Sequence, residues 1–273
     1  MRVPVDSATV VNNGTVPKEL ANRIVKNIDW TVSGSYVQKN DLMVIDLLAN
    51  NNWKRPIYFA ATAPASSYLN LTPYLQLEGL AYRLVPIKKN EKETQETRIA
   101  TSIMYDKVMK FAWGGMDKKG VYLDDVFIRS CALNIRQRFG ALANALIDEG
   151  DKEKAIKVLD KVIEITPQEN VPYDATMYSI VMGYYQAGAF EKANKVAIKL
   201  FNNFESNIKY YYSLDRSDLA SYQSDIDQAQ DICERLIYFS DNFKQDVVTK
   251  ELNLRYKALT MAYGLSPKMR ERQ

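Results

Sequence analysis

The sequence predicts an α+β protein, with a small N-terminal α/β unit followed by an all-α, tetratricopeptide-like helical repeat domain. Two observations support this fold class. Strand-like and helical hydrophobic patterns alternate up to about residue 100, and only helical patterns follow. A sequence pattern in the C-terminal half also recurs after 38 residues. We therefore expect a small α/β domain over residues 1–100, a connector over 101–124 and the helical repeat domain over 125–273.

The first elements are a strand and a helix. Apolar and polar residues alternate over 28–32, which is the pattern of a half-buried strand. The period becomes helical over 40–52, where Asn40 or Asp41 is the expected N-cap and three asparagines end the helix. The expected apolar face of this helix comprises Leu42, Ile45, Leu48 and Ala49.

Two apolar runs then predict strands, over 53–60 and 80–87, and Pro56 fixes the entry to the first one. The charged run 88–98 lacks apolar periodicity and indicates a solvated loop. A short helix is expected near 103–111. A long helix that Asp124 or Asp125 caps should then run towards Gly150.

The internal repeat follows the tetratricopeptide pattern of large and small apolar residues, a glycine, and then an alanine. Gly150 is 38 residues before Gly188, and the same separation joins Ala155 to Ala193. A tetratricopeptide unit has about 34 residues, so roughly four extra residues are expected at the turn 168–172. The residues expected to pack in the two first helices are Phe139, Leu142, Ala143, Leu146, Met177, Ile180, Val181 and Tyr184.

The remaining sequence predicts a longer helical hairpin that closes the stack, with Leu252, Leu259 and Tyr263 on its last buried helix. The outer face of the first helices is then left for other contacts. It is either a groove for an extended peptide or a solvated surface that contacts the other domain. The residues on this face, our candidates for partner binding, are Gln137, Asn144, Asp148, Tyr178, Met182, Tyr185 and Gln186.

A second candidate surface lies around the two apolar strands, where Trp53, Arg55, Glu78 and Arg83 combine aromatic and charged side chains. Such a surface could hold a sugar or a peptide. An Arg–Glu pair that only closes the small domain is the alternative.

The composition excludes several functional classes. The chain has no histidine, which removes Ser-His-Asp and Cys-His catalysis and every metal site that needs histidine. Two cysteines, Cys131 and Cys233, cannot form a structural zinc site; they are expected as free thiols, with a disulfide as the alternative. The net charge of +3 gives no sign of nucleic-acid binding. Glycine-rich phosphate loops are absent, so no cofactor is expected.

Carboxylates are the remaining acid-base groups, and glycosidase chemistry needs two of them across one bond. The candidates are Glu78, Asp41 with Asp46, and Asp124 with Asp125; helix capping explains most of the aspartates more simply. We therefore assign no catalytic residue, no metal ligand and no cofactor-binding residue.

Specific runs carry a family resemblance. The runs KNDLMVIDLLANNNWKRPIYFA over 39–60 and YLQLEGLAYRLVP over 74–86, with the Trp-Gly-Gly at 113–115 and the repeats, resemble the C-terminal soluble region of a bacterial polytopic membrane protein family. That family was long labelled as a domain of unknown function and is similar to protein O-mannosyltransferases, which are GT-C-like glycosyltransferases. The resemblance implies a membrane domain before Met1 that carries the catalytic residues. It also implies a position on the periplasmic side of the inner membrane.

We therefore expect a non-catalytic extracytoplasmic module that binds or positions a protein or peptide, such as a glycosylation acceptor, beside its own N-terminal membrane domain. One alternative is a structural scaffold of an envelope assembly. The other is a carboxylate-dependent carbohydrate-active enzyme. No apolar stretch in the chain approaches the roughly 18 residues that a membrane span requires.

Overall fold

The computed structural model describes residues 1–33, 36–89 and 98–265. Over these residues the protein is α+β, with helix dominating and two small sheets. It forms two compact units, Met1–Phe111 and Ala112–Gln273. Residues 101–111 thus lie in the first unit, and 112–124 lie in the second. Every helix in the described part of the chain is too short or too polar to cross a membrane.

Six short strands make up the two sheets of the first unit. They are β1 (Arg2–Pro4), β2 (Asn27–Asp29), β3 (Tyr58–Ala60), β4 (Leu75–Leu77), β5 (Ala81–Leu84) and β6 (Arg98–Ile99). β1 and β2 form an antiparallel pair. The other four form one sheet in the order β3-β5-β4-β6, antiparallel except for the parallel pair of β4 and β6.

Three helices belong to the first unit: α1 (Ser7–Asn12), α2 (Lys39–Asn51) and α3 (Thr101–Lys110). α2 lies where the sequence predicted it, but its N-cap is Gln38, because Asp41 accepts a hydrogen bond from the Gln38 backbone N–H at 3.0 Å. Its predicted apolar face is also partly wrong. Leu48 is buried, whereas Leu42 is 56% exposed.

The predicted strands are present but shorter than expected. β2 ends at Asp29, so Trp30 is buried without belonging to a strand. Trp53 precedes β3 in a left-handed conformation, with φ of 60°, and its indole N–H donates to the carbonyl of Pro4 at 3.0 Å. The two predicted strands do pair, as β3 and β5. Most of the predicted loop over 88–98, namely 90–97, lies outside the described residues.

One face of the larger sheet is aromatic. Phe59 on β3 lies opposite Tyr82 on β5. The ring of Tyr68 meets both edge-to-face, with centroids 5.6 and 5.7 Å away. This face forms the apolar core of the first unit, so the polar residues of the same strands point to the other face.

The second unit is helical. Its helices are α4 (Asp125–Phe127), α5 (Leu133–Asp148), α6 (Lys152–Ile165), α7 (Met177–Ala187), α8 (Phe190–Tyr211), α9 (Arg216–Ser221), α10 (Gln223–Asn242) and α11 (Asp246–Tyr263). A π-helical turn, Ile128–Ala132, joins α4 to α5. Asp124 caps α4 by accepting from the Phe127 N–H at 2.8 Å, as one of the two predicted caps.

The first helices of the two repeat copies, α5 and α7, pack closely. All eight residues predicted to pack in these two helices are at most 2% exposed. A Cβ at Gly140 would lie 2.5 Å from the Ser179 hydroxyl, so glycine at this position sets how closely α5 and α7 approach. Gly150 and Gly188 have φ of +86° and +85°, the left-handed conformation expected for them after the first helices.

The C-terminal helices cover the stack. Leu252 and Leu259 of α11 are buried as predicted, and Tyr263 is half-buried, with its ring stacked 4.7 Å from that of Tyr212. Both cysteines are free thiols. Cys233 is buried and Cys131 is half-buried.

The loop between α6 and α7 is held by a charged side chain in the core. Arg136 of α5 is fully buried, and its guanidinium donates to the carbonyls of Thr166, Val171 and Pro172. Asp174 lies 3.5 Å away as its counter-charge. Burial lowers the pKa of Arg136 to about 10, so the group stays charged at neutral pH. The extra residues of this loop thus gain a partner for their carbonyls.

We expect Arg136→Met to destabilise the second unit by about 3–5 kcal/mol, because it leaves the three carbonyls and Asp174 without their partner. Urea unfolding followed by far-UV circular dichroism measures this loss. Arg129→Met is the matched control, since that side chain is 75% exposed and pairs only with an exposed aspartate. Equal unfolding midpoints for the two variants would contradict the role given to Arg136.

Candidate functional site

The predicted partner-binding residues of the second unit lie on α5 and α7, with α10 packed against α7. Gln137, Asp148 and Gln186 are exposed. Asn144, Tyr178 and Met182 are half-buried. We refer to the exposed and half-buried side chains of these six residues, together with Arg235 and Tyr238 of α10, as the helix wall.

Tyr178 occupies the α10 side of the helix wall. Its ring lies 5.5 Å from that of Phe239, and the Arg235 guanidinium carbon lies 5.5 Å from its centroid. Arg235 is itself held by Asp231 at 2.7 Å. Burial raises the pKa of Tyr178, so the phenol remains neutral at all physiological pH values. The ring is therefore fixed in position, with one part still open to solvent.

Tyr185 differs from the other six predicted residues because it is only 1% exposed. Its ring stacks on Phe243 at 5.1 Å and 6°, and its hydroxyl donates to Asn194 at 2.8 Å. Burial raises the pKa of this phenol to about 12. The segment after α10 covers the ring, so Tyr185 offers no surface to a partner in this structure.

An unpaired polar atom lies on the helix wall. The Oδ1 atom of Asn144 is buried and accepts no hydrogen bond from any described residue. Because this oxygen is buried, a partner cannot reach it in this structure, and it is left without a hydrogen bond at a cost to stability. The apolar side chains of the wall that stay partly open to solvent are those of Tyr178 and Met182.

Sequence reasoning missed the contribution of α10. Arg235 and Tyr238 were not singled out because the buried stripe of α10, which includes Ile226, Cys233 and Leu236, carries the stronger signal. Both residues lie off that stripe, and Tyr238 is 45% exposed. A comparison of their positions around the helix with the buried stripe of α10 would have identified them as surface residues.

The second candidate surface is divided by the structure. Glu78 and Arg83 meet, with Glu78 Oε1 and Arg83 Nη1 3.7 Å apart. Trp53 and Arg55 lie elsewhere: Trp53 is buried against Pro4, and the backbone of Arg55 is bonded to Asn51. Of the four residues, the structure thus brings Glu78 and Arg83 into contact.

Glu78 is the centre of a buried polar network. Its side chain is 1% exposed and accepts from Lys107 Nζ at 2.9 Å, Gln76 Nε2 at 2.8 Å and the Tyr58 hydroxyl at 3.1 Å. The register explains the arrangement, because Tyr58, Arg83 and Gln76 lie opposite one another on β3, β5 and β4. Arg98 of β6 continues the row by donating to Gln76.

The network keeps Glu78 ionised. Burial raises the pKa of a carboxyl, but the hydrogen bonds from Lys107 and Gln76 and the charge of Arg83 outweigh it. The pKa of Glu78 therefore lies below its usual range. A carboxylate in this state neither donates a proton nor reaches solvent. The network thus supports the interpretation that this Arg–Glu pair closes the small domain.

The other candidate carboxylates have local partners. Asp41 accepts from the backbone N–H of Gln38, the N-cap of α2. Asp124 caps α4, and Asp46 accepts from the side chain of Asn50 at 2.9 Å. Asp125 pairs with Arg129 at 2.7 Å. Within the described ranges, no group of three or more cysteine and acidic residues is placed to hold a metal ion.

One comparison with known proteins gives a match. Residues 1–103 match the family model described as TMEM260-associated domain 2. The matched region is less than half of the chain and lies in the first unit. It agrees with the part of the resemblance that concerns a membrane protein family. Neither the curated proteins nor the solved structures contain a match to the chain.

We expect Glu78→Gln to lower the free energy of unfolding by about 3 kcal/mol at pH 7, because Lys107 and Arg83 lose their counter-charge. The difference from the wild type should depend on pH. Since folding lowers the pKa of Glu78, its stabilisation is present above the ordinary value of 4.5 and is lost as the pH falls through the lowered value.

Urea unfolding of both proteins between about pH 7 and pH 3 measures this difference. Glu19→Gln is the control, because Glu19 is exposed in the same unit. If the free energies of unfolding of the wild type and Glu78→Gln differ by the same amount over this pH range, the charge of Glu78 does not stabilise the fold.

Proposed function

We propose that the chain is a non-catalytic, extracytoplasmic module of a membrane-bound, glycosyltransferase-like protein, and that its helical unit binds a protein or peptide partner. The helix wall is the observation that carries this proposal. The match to a membrane-protein-associated domain supports the membrane context. The periplasmic side of the inner membrane and the glycosyltransferase-like character rest on the resemblance of the sequence runs.

The proposal includes a tetratricopeptide-like architecture for the helices α5 to α8. Several features support it. Equivalent large apolar residues of the two copies are buried, the two glycines share a left-handed conformation, and Ala155 and Ala193 are both fully buried. The loop that contains the extra residues is the one that Arg136 holds. These features match a helical pair that occurs twice and stacks on itself.

The chemistry of the helix wall suits an extended peptide. Tyr178 and Met182 give apolar contact area, and Met adapts to side chains of different shape. Gln186, four residues after Met182 on α7, is exposed, and its amide can both donate to and accept from a peptide main chain. Asp148 supplies an exposed negative charge at the α5 side of the wall, whereas the charge of Arg235 at the α10 side is already paired with Asp231. Together these groups recognise a main chain more than any one side chain.

The absence of a catalytic role in this chain is also part of the proposal. Asp41 and Asp124 take part in helix capping, Asp125 and the buried Glu78 in ion pairs, and Asp46 accepts a hydrogen bond from Asn50. Incubating the protein with glycosides and with glycosyl donors tests this. Turnover that is lost in Glu78→Gln or Asp46→Asn would overturn it.

Partner contact should be specific to the helix wall. We would place a photo-crosslinking amino acid at Gln186 and at Asp148, with Glu153 on α6 as the matched exposed position. In cells that make the full protein, we expect the two wall positions to crosslink one protein that the α6 position does not. Identical crosslinking from all three positions would contradict a binding site on the wall.

Affinity for the crosslinked partner should depend on Tyr178. We expect Tyr178→Ala to weaken binding about thirtyfold, which corresponds to about 2 kcal/mol, while Tyr178→Phe binds nearly as well as the wild type. Titration calorimetry measures both variants. Leu142→Ala and Tyr185→Ala should instead lose about 2–5 kcal/mol of stability, because both side chains are buried. Normal binding by Tyr178→Ala would place recognition elsewhere.

A further inference from the structure

The larger sheet of the first unit has an open edge at β3. The strand order is β3-β5-β4-β6, so β3 has one neighbour among the strands of the described residues. Its hydrogen-bonding pattern shows which groups face outward. Leu84 N–H donates to the Ile57 carbonyl at 2.9 Å, and Ala61 N–H donates to Leu80 at 3.2 Å. Residues 57, 59 and 61 therefore bond to β5, and residues 58 and 60 direct their backbone groups away from it.

Three of these outward groups are available. The N–H and C=O of Tyr58 and the N–H of Ala60 have no hydrogen-bond partner among the described residues. The carbonyl of Ala60 is already used, since Ala63 N–H donates to it at 3.0 Å and the Tyr68 hydroxyl at 3.3 Å. Along β3 these free groups follow one another as a donor, an acceptor and a donor. An added extended strand forms its hydrogen bonds with this arrangement.

A cavity of about 530 Å³ touches this edge. Its lining includes Leu47 and Asn50 of α2, the cations Lys54 and Arg55, Ile57, and Tyr58 at the start of β3. Leu47 and Tyr58 are 49% and 44% exposed. The Tyr58 ring is held in place by its hydrogen bond to Glu78. The walls therefore offer apolar contact beside the open backbone groups.

The positive charge beside the cavity indicates which kind of peptide fits it. Lys54 and Arg55 are exposed and make no side-chain ion pair with a described residue. The described residues that line the cavity include no carboxylate. Both cations come just before β3, so they lie at the start of the open edge.

We propose that β3 and this cavity form a strand-addition site for an extended acidic peptide segment. The segment pairs with Tyr58 and Ala60 through its main chain, places an apolar side chain between Leu47 and Ile57, and presents acidic residues to Lys54 and Arg55. This site lies in the first unit and does not involve the helix wall, so either site can fail in an experiment without the other.

The whole chain is first panned against a phage-displayed library of short random peptides. We expect the enriched peptides to carry acidic residues beside an apolar or β-branched one. Lys54→Glu with Arg55→Glu should abolish this enrichment. Lys18→Glu with Lys26→Glu, a reversal of two exposed charges in the same unit, should leave it unchanged.

The best peptide is then synthesised with and without one N-methyl group on the central backbone nitrogen. We expect methylation to weaken binding about tenfold or more, because it removes a main-chain hydrogen bond and blocks the approach of the strand. In amide exchange followed by NMR, the Tyr58 and Ala60 N–H groups should become protected when the unmethylated peptide binds.

Three outcomes would overturn the proposal. The first is a library that gives no enrichment over the Lys54→Glu, Arg55→Glu protein. The second is a peptide that binds as well when N-methylated, or that leaves the Tyr58 and Ala60 amides unprotected. The third is a concentration-dependent dimer in sedimentation experiments that protects the same amides, because the occupant of the edge would then be a second copy of this chain.

Discussion

The buried guanidinium of Arg136 is the interaction on which the helical unit depends most. It belongs to α5, yet it binds the carbonyls of a loop about thirty residues later in the chain. Removing a charge from water is costly, and three carbonyls with one carboxylate offset that cost only if all of them stay in place. Because the loop leads directly into α7, Arg136 also fixes where α7 begins relative to α5. The positions of Tyr178 and Met182 on the helix wall follow from it.

The first unit is also organised around a buried charge, but here the charge is negative. Glu78 is covered by the sheet and by α3, and several donors surround its carboxylate. Neither group changes its charge near neutral pH, since the pKa of Glu78 is lowered and that of Arg136 is about 10. The chain also has no histidine. The folded state is therefore insensitive, through these groups, to the pH changes that separate most cellular compartments.

Much of the fold could be predicted from local signals. The helices around Gly150 and Gly188 followed from spacing, because helical periodicity and left-handed caps are properties of the sequence itself. β4 was missed, since all three of its residues are buried and show no alternation. The candidate site was harder to predict from the sequence. Tyr185 looked like a surface residue from α7 alone, and only the placement of Phe243 over its ring makes it part of the core. Contacts between distant segments decide such cases.

The π-helical turn Ile128–Ala132 bears on how this chain can vary in length. Such a turn arises where a helix contains one residue more than the regular period allows. It lies between a three-residue helical start and the long α5, so the extra residue is absorbed before the buried stripe of α5 begins at Ile135. A relative that lacks one residue here would keep α5 unchanged, and its segment before residue 128 would be rotated by about 100° around the helix axis. An insertion or deletion at this turn would thus change the direction of the segment before residue 128 and leave the packing of α5 intact.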